Sequence, residues 1–268
     1  MPYRRSFLKW AGSKYQLISQ ILKHLPPGQR LLEPFFGSGV VFLNSSYSRY
    51  VVNDINTDLM NAYKSLKKYK SKFIQDVKKL FTPENNCKER YLELRQYFNE
   101  TQDPYQRGVL FIYLNRHGYN GLCRYNQSGI FNVPFGSYKK VSLAEDTLNI
   151  FINKLQLAQL HNKHYSKIFA MAQPGDVIYC DPPYISNHQS LAFKYFGEEF
   201  TIEDQQQLAD LAHKQQKRNI TTIVSNHANN VTLELYSQAK KHYQLDVFRS
   251  MNCIPKKRCF VKEILAIY

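Results

Sequence analysis

The tetrapeptide Asp181-Pro182-Pro183-Tyr184 constrains this chain more than any other feature, because it directly follows the apolar run Asp176–Cys180. The run has the length and composition of a buried strand, and the two prolines end it abruptly. The sequence therefore predicts an acid and an aromatic ring at the carboxyl edge of a strand, where open α/β sheets bind ligands. Rigidly held oxygen acceptors beside a ring suit a planar group that carries an NH2. The alternative is an ordinary turn that ends a strand, and four residues alone do not separate the two.

Charge points to a polyanionic partner. The 268 residues include 36 Lys and Arg against 21 Asp and Glu, which gives a formal net charge of +15. Nucleic acid is the leading candidate, and the alternative is a general gain in solubility. We expect a soluble cytoplasmic protein, since no apolar stretch is long enough to cross a bilayer and none near the N-terminus resembles a secretory signal. Five cysteines without a CxxC pair argue against a disulfide framework.

The order of apolar runs predicts an α/β sheet. Residues 30–34 and 50–54 look like strands, with a helix-compatible stretch at 40–46 between them, as in a doubly wound sheet. The sheet is expected to resume at 176–180 and at 220–225, the latter after a helix at 203–217. The last part of the chain, 243–248 and 261–268, is expected to form an antiparallel pair.

A region of different character interrupts that pattern. Residues 56–117 show helical spacing of apolar positions, and 118–140 are rich in Gly, Asn, Tyr and Arg, as expected for a hairpin with its turn at 126–129. A further helix is predicted at 143–159, and 185–200 could form a flap. The prediction is a discontinuous domain of residues 1–55 and 146–268, interrupted by an inserted helical module at 56–145.

Two features at the predicted sheet edge favour a nucleoside-containing cofactor. The turn Phe35-Phe36-Gly37-Ser38-Gly39 follows the first strand and opens a helix, and Asp54 ends the second strand, where a carboxylate commonly accepts hydrogen bonds from ribose. The glycine spacing is not GxGxxG, which disfavours a dinucleotide. The alternatives are a plain strand-to-helix turn and a helix N-cap.

Basic, aromatic and amide side chains alternate around glycines at 116–126 and again at 132–140. These residue types read base edges, wedge between bases and hold phosphates. The alternative is a polar hairpin, which does not require so many Arg, Tyr and Asn residues. The N-terminal run 7–14, with the single tryptophan, is either a loop over the cofactor and nucleic acid or a packed arm.

Other chemistries have little support in the sequence. His161 and His164 lack a third ligand for a metal, and Cys253 and Cys259 lack a second ligand pair. No Ser/His/Asp set and no Walker motif can be recognised.

Together these residues resemble the Dam-type family of DNA adenine-N6 methyltransferases, in one consistent order from Phe7 to about Tyr268. The hairpin run is the most specific part of the resemblance, because Asp-Pro-Pro-Tyr alone indicates only an amino-methyltransferase. The matching pieces are 7–12, Glu33-Pro34-Phe35 with Gly37 and Gly39, 54–56, 114–116, 118–126, 131–136 and 179–184.

The resemblance implies a Rossmann-like class I methyltransferase sheet with an inserted helical plus β-hairpin DNA-recognition domain. It implies S-adenosylmethionine as cofactor and double-stranded DNA as substrate, with adenine of GATC as the target. It also implies a monomer that needs no metal and acts in the cytoplasm, in association with the nucleoid. Asp181 and Pro182 would accept the hydrogens of N6, and Tyr184 would stack on the flipped base. The implied cofactor pocket comprises Trp10, Lys14, Phe35, Gly37, Gly39, Asp54 and Asp181.

The resemblance also implies how DNA is read. Arg124 and Lys9 would each read a guanine, Leu122 and Pro134 would contact a thymine methyl group, and Tyr119 with Asn120 would fill the gap left by the extruded base. The remaining contacts would come from Arg95, Arg116, Asn126, Asn132 and Tyr138. The chain departs from the family pattern at Ser13, at His117 and in the segment 251–260.

Three rival interpretations remain at this point. The same chemistry could serve another DNA site or an RNA, as in a restriction-linked enzyme. A catalytically silent DNA-binding protein could use the same scaffold, although Asp181 and Tyr184 are intact. A nicotinamide-dependent oxidoreductase is the third, and the glycine spacing disfavours it. The biological use, whether repair, regulation or self-protection, stays open.

Overall fold

A computed structural model describes residues 2–184, 200–248 and 260–268. The expectations for a flap at 185–200 and for the atypical segment 251–260 fall almost entirely outside these residues. No helix in the described ranges is both long enough and apolar enough to cross a membrane.

The core is a mixed seven-stranded sheet in the order β3-β2-β1-β4-β5-β7-β6. Strands β1 to β5 run parallel, and β7 is antiparallel to both β5 and β6. The central strands are almost fully buried, as expected when helices cover both faces of a parallel sheet. The strands are β1 Arg30–Glu33, β2 Arg49–Asn53, β3 Ala158–His161, β4 Asp176–Cys180, β5 Thr221–His227, β6 Lys241–Phe248 and β7 Phe260–Ile267.

Helices lie on both faces of this sheet and over its β3 end. A short 3-10 turn, Lys14–Leu17, precedes the first of them. The helices are α1 Ile18–His24, α2 Val40–Asn44, α3 Thr57–Tyr69, α4 Ser71–Lys78, α5 Lys88–Glu100, α6 Pro104–His117, α7 Glu145–Leu155, α8 Tyr165–Phe169, α9 Ile202–Gln216 and α10 Asn230–Leu235.

Local sequence explains where several helices begin. The Asn56 side chain accepts a hydrogen bond from the backbone of Leu59 and caps α3. Helix α6 begins at Pro104, whose missing N–H costs nothing in the first turn, and Asp103 caps it. Thr201 and Asp204 form a reciprocal capping box at the start of α9.

Between β2 and β3 the chain runs through α3 to α7 and through a hairpin-like segment at residues 118–140, called here the hairpin. The hairpin contains antiparallel bridges Gly118↔Phe135 and Tyr125↔Phe131 rather than regular strands. Near its turn, the hairpin is tied to the helices by Asp58, which pairs with Arg107 in two bonds of 2.7 and 3.0 Å and accepts the Tyr125 hydroxyl at 2.6 Å. Loss of one partner from such a buried pair costs about 3–5 kcal/mol.

The structure confirms the predicted strands in the first half, the helical stretch 56–117, the turn at 126–129, helix α9 and the closing antiparallel pair. The predicted helix at 143–159 is wrong in its last part. Helix α7 ends at Leu155, and Ala158 begins β3, which pairs in parallel with β2. That strand is short and contains Ala and Gln, so pairing with β2 decides its structure rather than its own apolar pattern.

Candidate active site and nucleic-acid interface

The two most informative turns of the sequence emerge at one edge of the sheet. The turn at residues 35–39, called here the glycine turn, follows β1, and residues 181–184, called here the proline corner, follow β4. Strands β1 and β4 are direct neighbours, with Leu32 opposite Ile178. The chain order of strands reverses at this point, and such a crevice is where open α/β sheets bind ligands.

The glycine turn needs its glycines. Gly37 and Gly39 have φ of +49° and +65°, a region that side-chain-bearing residues rarely adopt. A Cβ on Gly37 would lie 2.7 Å from Nε1 of Trp10, so the tryptophan ring closes over this turn. A side chain at position 37 would therefore have to displace Trp10.

Asp54, at the end of β2, fixes the glycine turn. One carboxylate oxygen accepts the Gly37 N–H at 2.8 Å and the other accepts the Asn56 N–H at 2.9 Å. Burial raises the pKa of Asp54 to about 6, and these backbone N–H groups oppose the rise. A carboxylate can accept about four hydrogen bonds, so this side chain retains capacity for further donors. Asn56, rather than Asp54, is the N-cap of α3.

Asp181 is held by one of its two oxygens. Lys14 Nζ lies 2.9 Å from Oδ1, and the Ser225 hydroxyl donates to the same atom at 3.2 Å. Within the described residues no hydrogen bond reaches Oδ2, and the side chain keeps 23% of its surface exposed, whereas Lys14 keeps 4%. The arrangement presents one carboxylate oxygen toward the crevice.

Burial raises the pKa of Asp181, and the Lys14 ammonium opposes that rise while the negative charge of Glu263 adds to it. Burial likewise raises the pKa of Tyr184 far above its usual value, so its hydroxyl stays neutral. That hydroxyl donates to Glu263 Oε2 at 3.0 Å. The Tyr184 ring meets His227 edge to face at 4.2 Å.

Buried side-chain amides of α9 and β5 hold the backbone of the proline corner. Gln205 Nε2 donates to the Pro183 carbonyl at 2.8 Å. Its own oxygen accepts from Asn226 and from the Tyr236 hydroxyl, at 3.1 and 2.8 Å, and all three side chains are fully buried. No described residue donates to the Pro182 carbonyl, so the corner offers this acceptor in addition to the Asp181 carboxylate.

Residues 9–14, called here the linking segment, connect this edge to the hairpin. The Asn115 side chain exchanges two hydrogen bonds with the backbone of Lys9, at 2.9 and 2.7 Å, and donates to the Gly121 carbonyl. Further along, the Ser13 N–H donates to the Trp10 carbonyl, and Lys14 donates to the Gly12 carbonyl. One short segment thus contacts the hairpin, the glycine turn and the proline corner.

The hairpin residues that the resemblance implies for DNA reading are mostly exposed and bonded locally. Arg124 Nε donates to Asn132 Oδ1 at 2.8 Å, and the Asn126 side chain accepts the N–H groups of Ser128 and Ile130. Arg95 donates to the Val133 carbonyl at 2.9 Å. Leu122 is half-buried and Pro134 is exposed.

A second group lies where the hairpin meets the linking segment. Lys9 Nζ is 3.4 Å from the Tyr138 ring centre, and burial together with Arg116 lowers the pKa of Lys9 to about 8. The Tyr138 hydroxyl accepts the Asn120 N–H at 2.8 Å, and Tyr119 is 41% exposed. Arg116 donates to backbone carbonyls of Phe7 and Ser142, so in this state it ties segments together.

His117, one of the departures from the family pattern, behaves as an aromatic residue. It is buried, stacks on Tyr113 at 4.1 Å and donates from Nδ1 to the Tyr113 carbonyl. Burial lowers its pKa to about 4, so the ring is neutral at physiological pH. Ser13 precedes the 3-10 turn at Lys14 without a side-chain capping bond.

The structure also shows where Phe35 and His164, two other residues considered in the sequence analysis, lie. Phe35 is half-buried and packs on Tyr165, with ring centres 5.2 Å apart. His164 caps α8 by accepting the Ser166 N–H. Among the residues that the structure describes, no group of three or more His, Cys, Asp or Glu side chains could hold a metal ion.

The sequence analysis gave no role to four residues of the candidate site: Ser225, Gln205, Asn115 and Glu263. Asn115 lies in the stretch 114–116 that resembles the family, whereas nothing in the sequence marks the neutral residues Ser225 and Gln205 as buried. Glu263 could have been identified from the sequence, because an acidic residue stands out in an apolar strand. It lies on the same side of that strand as buried Leu265, and a buried acid usually has a specific partner.

Comparison with known proteins shows the family of this chain. The family model described as D12 class N6 adenine-specific DNA methyltransferase matches residues 10–251. The chain is 46% identical to a DNA adenine methylase of Escherichia coli K12, with 100% of this chain and 96% of that protein covered. It is 46% identical to the DNA adenine methylase of Vibrio cholerae (100% and 97% covered) and 43% identical to that of Serratia marcescens (100% of both).

A solved precorrin-8w decarboxylase from Methanobacterium thermoautotrophicum aligns over 96% of this chain and 90% of its own, with TM-score 0.37 and 8% identity, too weak a likeness to carry an argument. The sequence-based prediction of an adenine-specific DNA methyltransferase is confirmed by the family match and the full-length relatives. The mixed seven-stranded α/β sheet is consistent with that family. The chain belongs to the D12 class of N6 adenine-specific DNA methyltransferases.

Proposed function

We propose that this enzyme transfers a methyl group from S-adenosylmethionine to N6 of the adenine in GATC, after rotating that adenine out of the duplex. The observation that carries the proposal is the proline corner, where Asp181 and Tyr184 lie beside the Trp10-bordered glycine turn. The full-length relatives named DNA adenine methylase support the same assignment.

The residues at the glycine turn fit the proposed cofactor. Asp54 has capacity to accept ribose hydroxyls, Gly37 allows close backbone approach, and Phe35 offers a half-buried ring. Trp10, Gly39 and Lys14 complete the proposed pocket, which Asp181 borders. When bound, S-adenosylmethionine supplies an electrophilic methyl group on a sulfonium. The glycine turn lacks the GxGxxG spacing that binds a pyrophosphate, which favours S-adenosylmethionine over a dinucleotide.

The proline corner can activate an adenine amine by orienting it. The N6 lone pair is delocalised into the ring, so the amine is a weak nucleophile. Asp181 Oδ2 and the Pro182 carbonyl would accept hydrogen bonds from its two N–H groups, which favours tetrahedral geometry at nitrogen and localises the pair. That pair would form the bond to the methyl carbon as the carbon–sulfur bond breaks with its electrons left on sulfur, and N6 would lose one proton to water. The Gln205 bond to Pro183 keeps these acceptors fixed, so orientation and preorganised electrostatics supply the acceleration. Tyr184 would stack on the extruded base.

The hairpin would read the DNA site. Arg124 has donors beyond the two that Asn132 engages, and paired donors suit the O6 and N7 atoms of guanine. Lys9 would contact a second guanine, and Leu122 with Pro134 a thymine methyl group. Tyr119 and Asn120 would occupy the space left by the flipped adenine. Arg95, Arg116, Asn126, Asn132 and Tyr138 would hold the backbone or support these contacts.

We further propose the domain division that the sequence suggested. Residues 1–55 and 146–268 would form the catalytic, cofactor-binding part, and 56–145 the part that recognises the target. Direct transfer between sulfonium and amine requires no Lewis acid, so the proposed reaction proceeds without a metal. The proposed acting species is a monomer on DNA in the cytoplasm, in association with the nucleoid.

The decisive experiment maps methylated adenines in DNA from cells that lack adenine methylation and express this chain. We expect N6-methyladenine at GATC and background levels elsewhere. Cells that express Asp181→Ala provide the matched control and should show background levels at every site. Methylation centred on a different sequence would refute the GATC assignment, and methylated RNA with unmodified DNA would refute the proposed substrate.

A further inference from the structure

Glu263 is a buried acid beside the proline corner, and it lies beyond the stretch 10–251 that the family model matches. It is on β7, opposite His227 of β5 and Leu245 of β6, and it is 5% exposed. Strand β7 runs antiparallel to β5, so its first half reaches the edge at which the parallel strands end.

Both observed contacts of the Glu263 carboxylate go to proposed site residues. Oε2 accepts the Tyr184 hydroxyl at 3.0 Å and lies 3.7 Å from Lys14 Nζ. The same ammonium is 2.9 Å from Asp181 Oδ1 and 4.6 Å from the centre of the Tyr184 ring. A single lysine is therefore shared between two carboxylates that flank one aromatic ring.

The fold alone gives little reason for an acid at this position. A buried charge costs several kcal/mol of desolvation, and well-packed apolar replacements of buried ion pairs are often neutral or stabilising. The neighbouring β7 residues Ile264, Leu265 and Ala266 are apolar and fully buried. The carboxylate is better explained by the two groups that it holds.

We infer that Glu263 is a positioning residue for methyl transfer, which fixes the Tyr184 ring through its hydroxyl and holds the Lys14 ammonium against Asp181. The inference rests on the proposed function, in which Tyr184 stacks on the target base. Tyr184 is then anchored at two ends, by its backbone in the proline corner and by its hydroxyl on β7. Because the Tyr184 ring is held at both ends, its orientation is fixed. The target base, which would stack on this ring, would be oriented by it.

Glu263 also sets the electrostatics of the acceptor. Its negative charge raises the pKa of Asp181, so its removal should favour the ionised form of that carboxyl group. The other charged or titratable groups whose electrostatic influence couples to Asp181 lie on several elements. They are Lys14 of the 3-10 turn, Glu33 of β1, Tyr179 and Cys180 of β4, and Tyr184 of the proline corner.

The test compares Glu263→Gln and Tyr184→Phe with the parent enzyme on a duplex that carries one target site. Glu263→Gln keeps the shape and an acceptor oxygen but removes the charge. We expect kcat to fall about tenfold or more, because small misorientation of reacting groups is costly, while the affinity for DNA stays within about threefold. The acidic limb of the kcat–pH profile should move to lower pH by about half a unit or more.

Tyr184→Phe removes only the hydroxyl that donates to Glu263. It should lower kcat by a similar factor, and the double variant should be no slower than the slower single variant, because Glu263→Gln weakens and Tyr184→Phe removes the same hydrogen bond. If Glu263→Gln does not fold, as judged by its thermal unfolding, Tyr184→Phe carries the test alone. An unchanged kcat in that variant would overturn the inference.

Asp246→Asn is the matched control, since it makes the same chemical change at an exposed position on the neighbouring strand β6. It should change neither kcat nor the pH profile. A folded Glu263→Gln enzyme with kcat within twofold of the parent overturns the inference. A fall in kcat without movement of the acidic limb also overturns it, because a purely structural role produces that result.

Failure of this inference is distinguishable from failure of the proposed function. If the parent enzyme methylates GATC and Asp181→Ala does not, the proposed function stands whatever Glu263→Gln does. If the parent enzyme methylates no DNA, the proposed function fails before Glu263 is tested.

Discussion

The proline corner and the hairpin use polar residues in opposite ways. At the corner, Lys14 and Glu263 are almost fully buried, and their contacts run to one another and to Asp181 and Tyr184. On the hairpin, Arg124 and Asn126 are exposed and bonded to residues of the same hairpin. The polar side chains of the proline corner are buried and held by one another, whereas those of the hairpin are exposed and hydrogen-bonded to nearby hairpin residues.

The difference fits the roles proposed for the two regions, methyl transfer at the proline corner and base reading on the hairpin. A group that stabilises a transition state acts most strongly when it is already oriented in a medium of low dielectric constant. A group that reads a base edge must exchange its partner in the free protein for DNA, so breaking its bonds in the free protein must cost little free energy. Local bonds of exposed side chains meet that need, because water replaces them readily.

Loss of the fixed carboxylate should have the largest effect. In Asp181→Ala, we expect methyl transfer to fall by about a thousandfold or more, because an oriented acceptor is lost from a preorganised site. DNA affinity should stay within a few-fold of the parent, since the hairpin is untouched. Single-turnover kinetics and equilibrium binding on one duplex measure the two quantities. Near-normal turnover would show that the corner does not carry the chemistry.

On the hairpin, Arg124→Ala should change preference more than rate. Loss of a paired contact to guanine costs about 1–3 kcal/mol of discrimination at one base pair. Competition between GATC and duplexes altered at each position measures this. Lys139→Ala, which removes an exposed charge from the same hairpin, is the control and should weaken binding to all duplexes alike. An Arg124→Ala enzyme with the parent's preference would mean that the hairpin does not read that guanine.

His117 tests whether the helix that carries the hairpin depends on a neutral ring. Its folded-state pKa of about 4 lies below the usual value of 6.5, so the unfolded chain binds the proton more tightly. Stability is therefore lost as pH falls from 6.5 toward 4, by about 2 kcal/mol between pH 7.5 and pH 5 from this group. In His117→Phe, the part of the stability loss that comes from protonation of His117 should be absent. Urea unfolding at the two pH values measures it, and an equal loss in both proteins would contradict the assignment.

The smallest effect is expected at Lys9, which lies between the two regions. Its pKa of about 8 means that it loses its charge as pH rises above 8, and DNA binding should weaken several-fold between pH 8 and pH 9.5. Lys9→Arg keeps the charge over this range and should bind with little pH dependence. Fluorescence anisotropy with labelled duplex measures both. Identical pH profiles would show that Lys9 does not contribute its charge to binding.

The sequence was informative where local chemistry decides the outcome. Prolines after an apolar run, glycines before a helix and a polar turn at 126–129 predicted the edge of the sheet and the hairpin turn. The short strand β3 was missed because its pairing with β2 decides its structure. Helices α8 and α10 were also missed, although His164 and the Asn229–Thr232 capping box mark their first turns. Glu263 was also missed, since its neighbours Tyr184 and Lys14 lie far away in the chain and meet it only through the antiparallel placement of β7.

The linking segment connects the hairpin side of the site to the proline corner. Its first residue is clamped by Asn115, its second rests on Gly37, and its last holds Asp181. Only six residues join these contacts, so the Asn115 contact and the Asp181 contact are connected by one short stretch of backbone. If Lys9 and Asp181 act as proposed, this stretch is the most direct covalent connection between the DNA-contacting surface and the acceptor of the target amine.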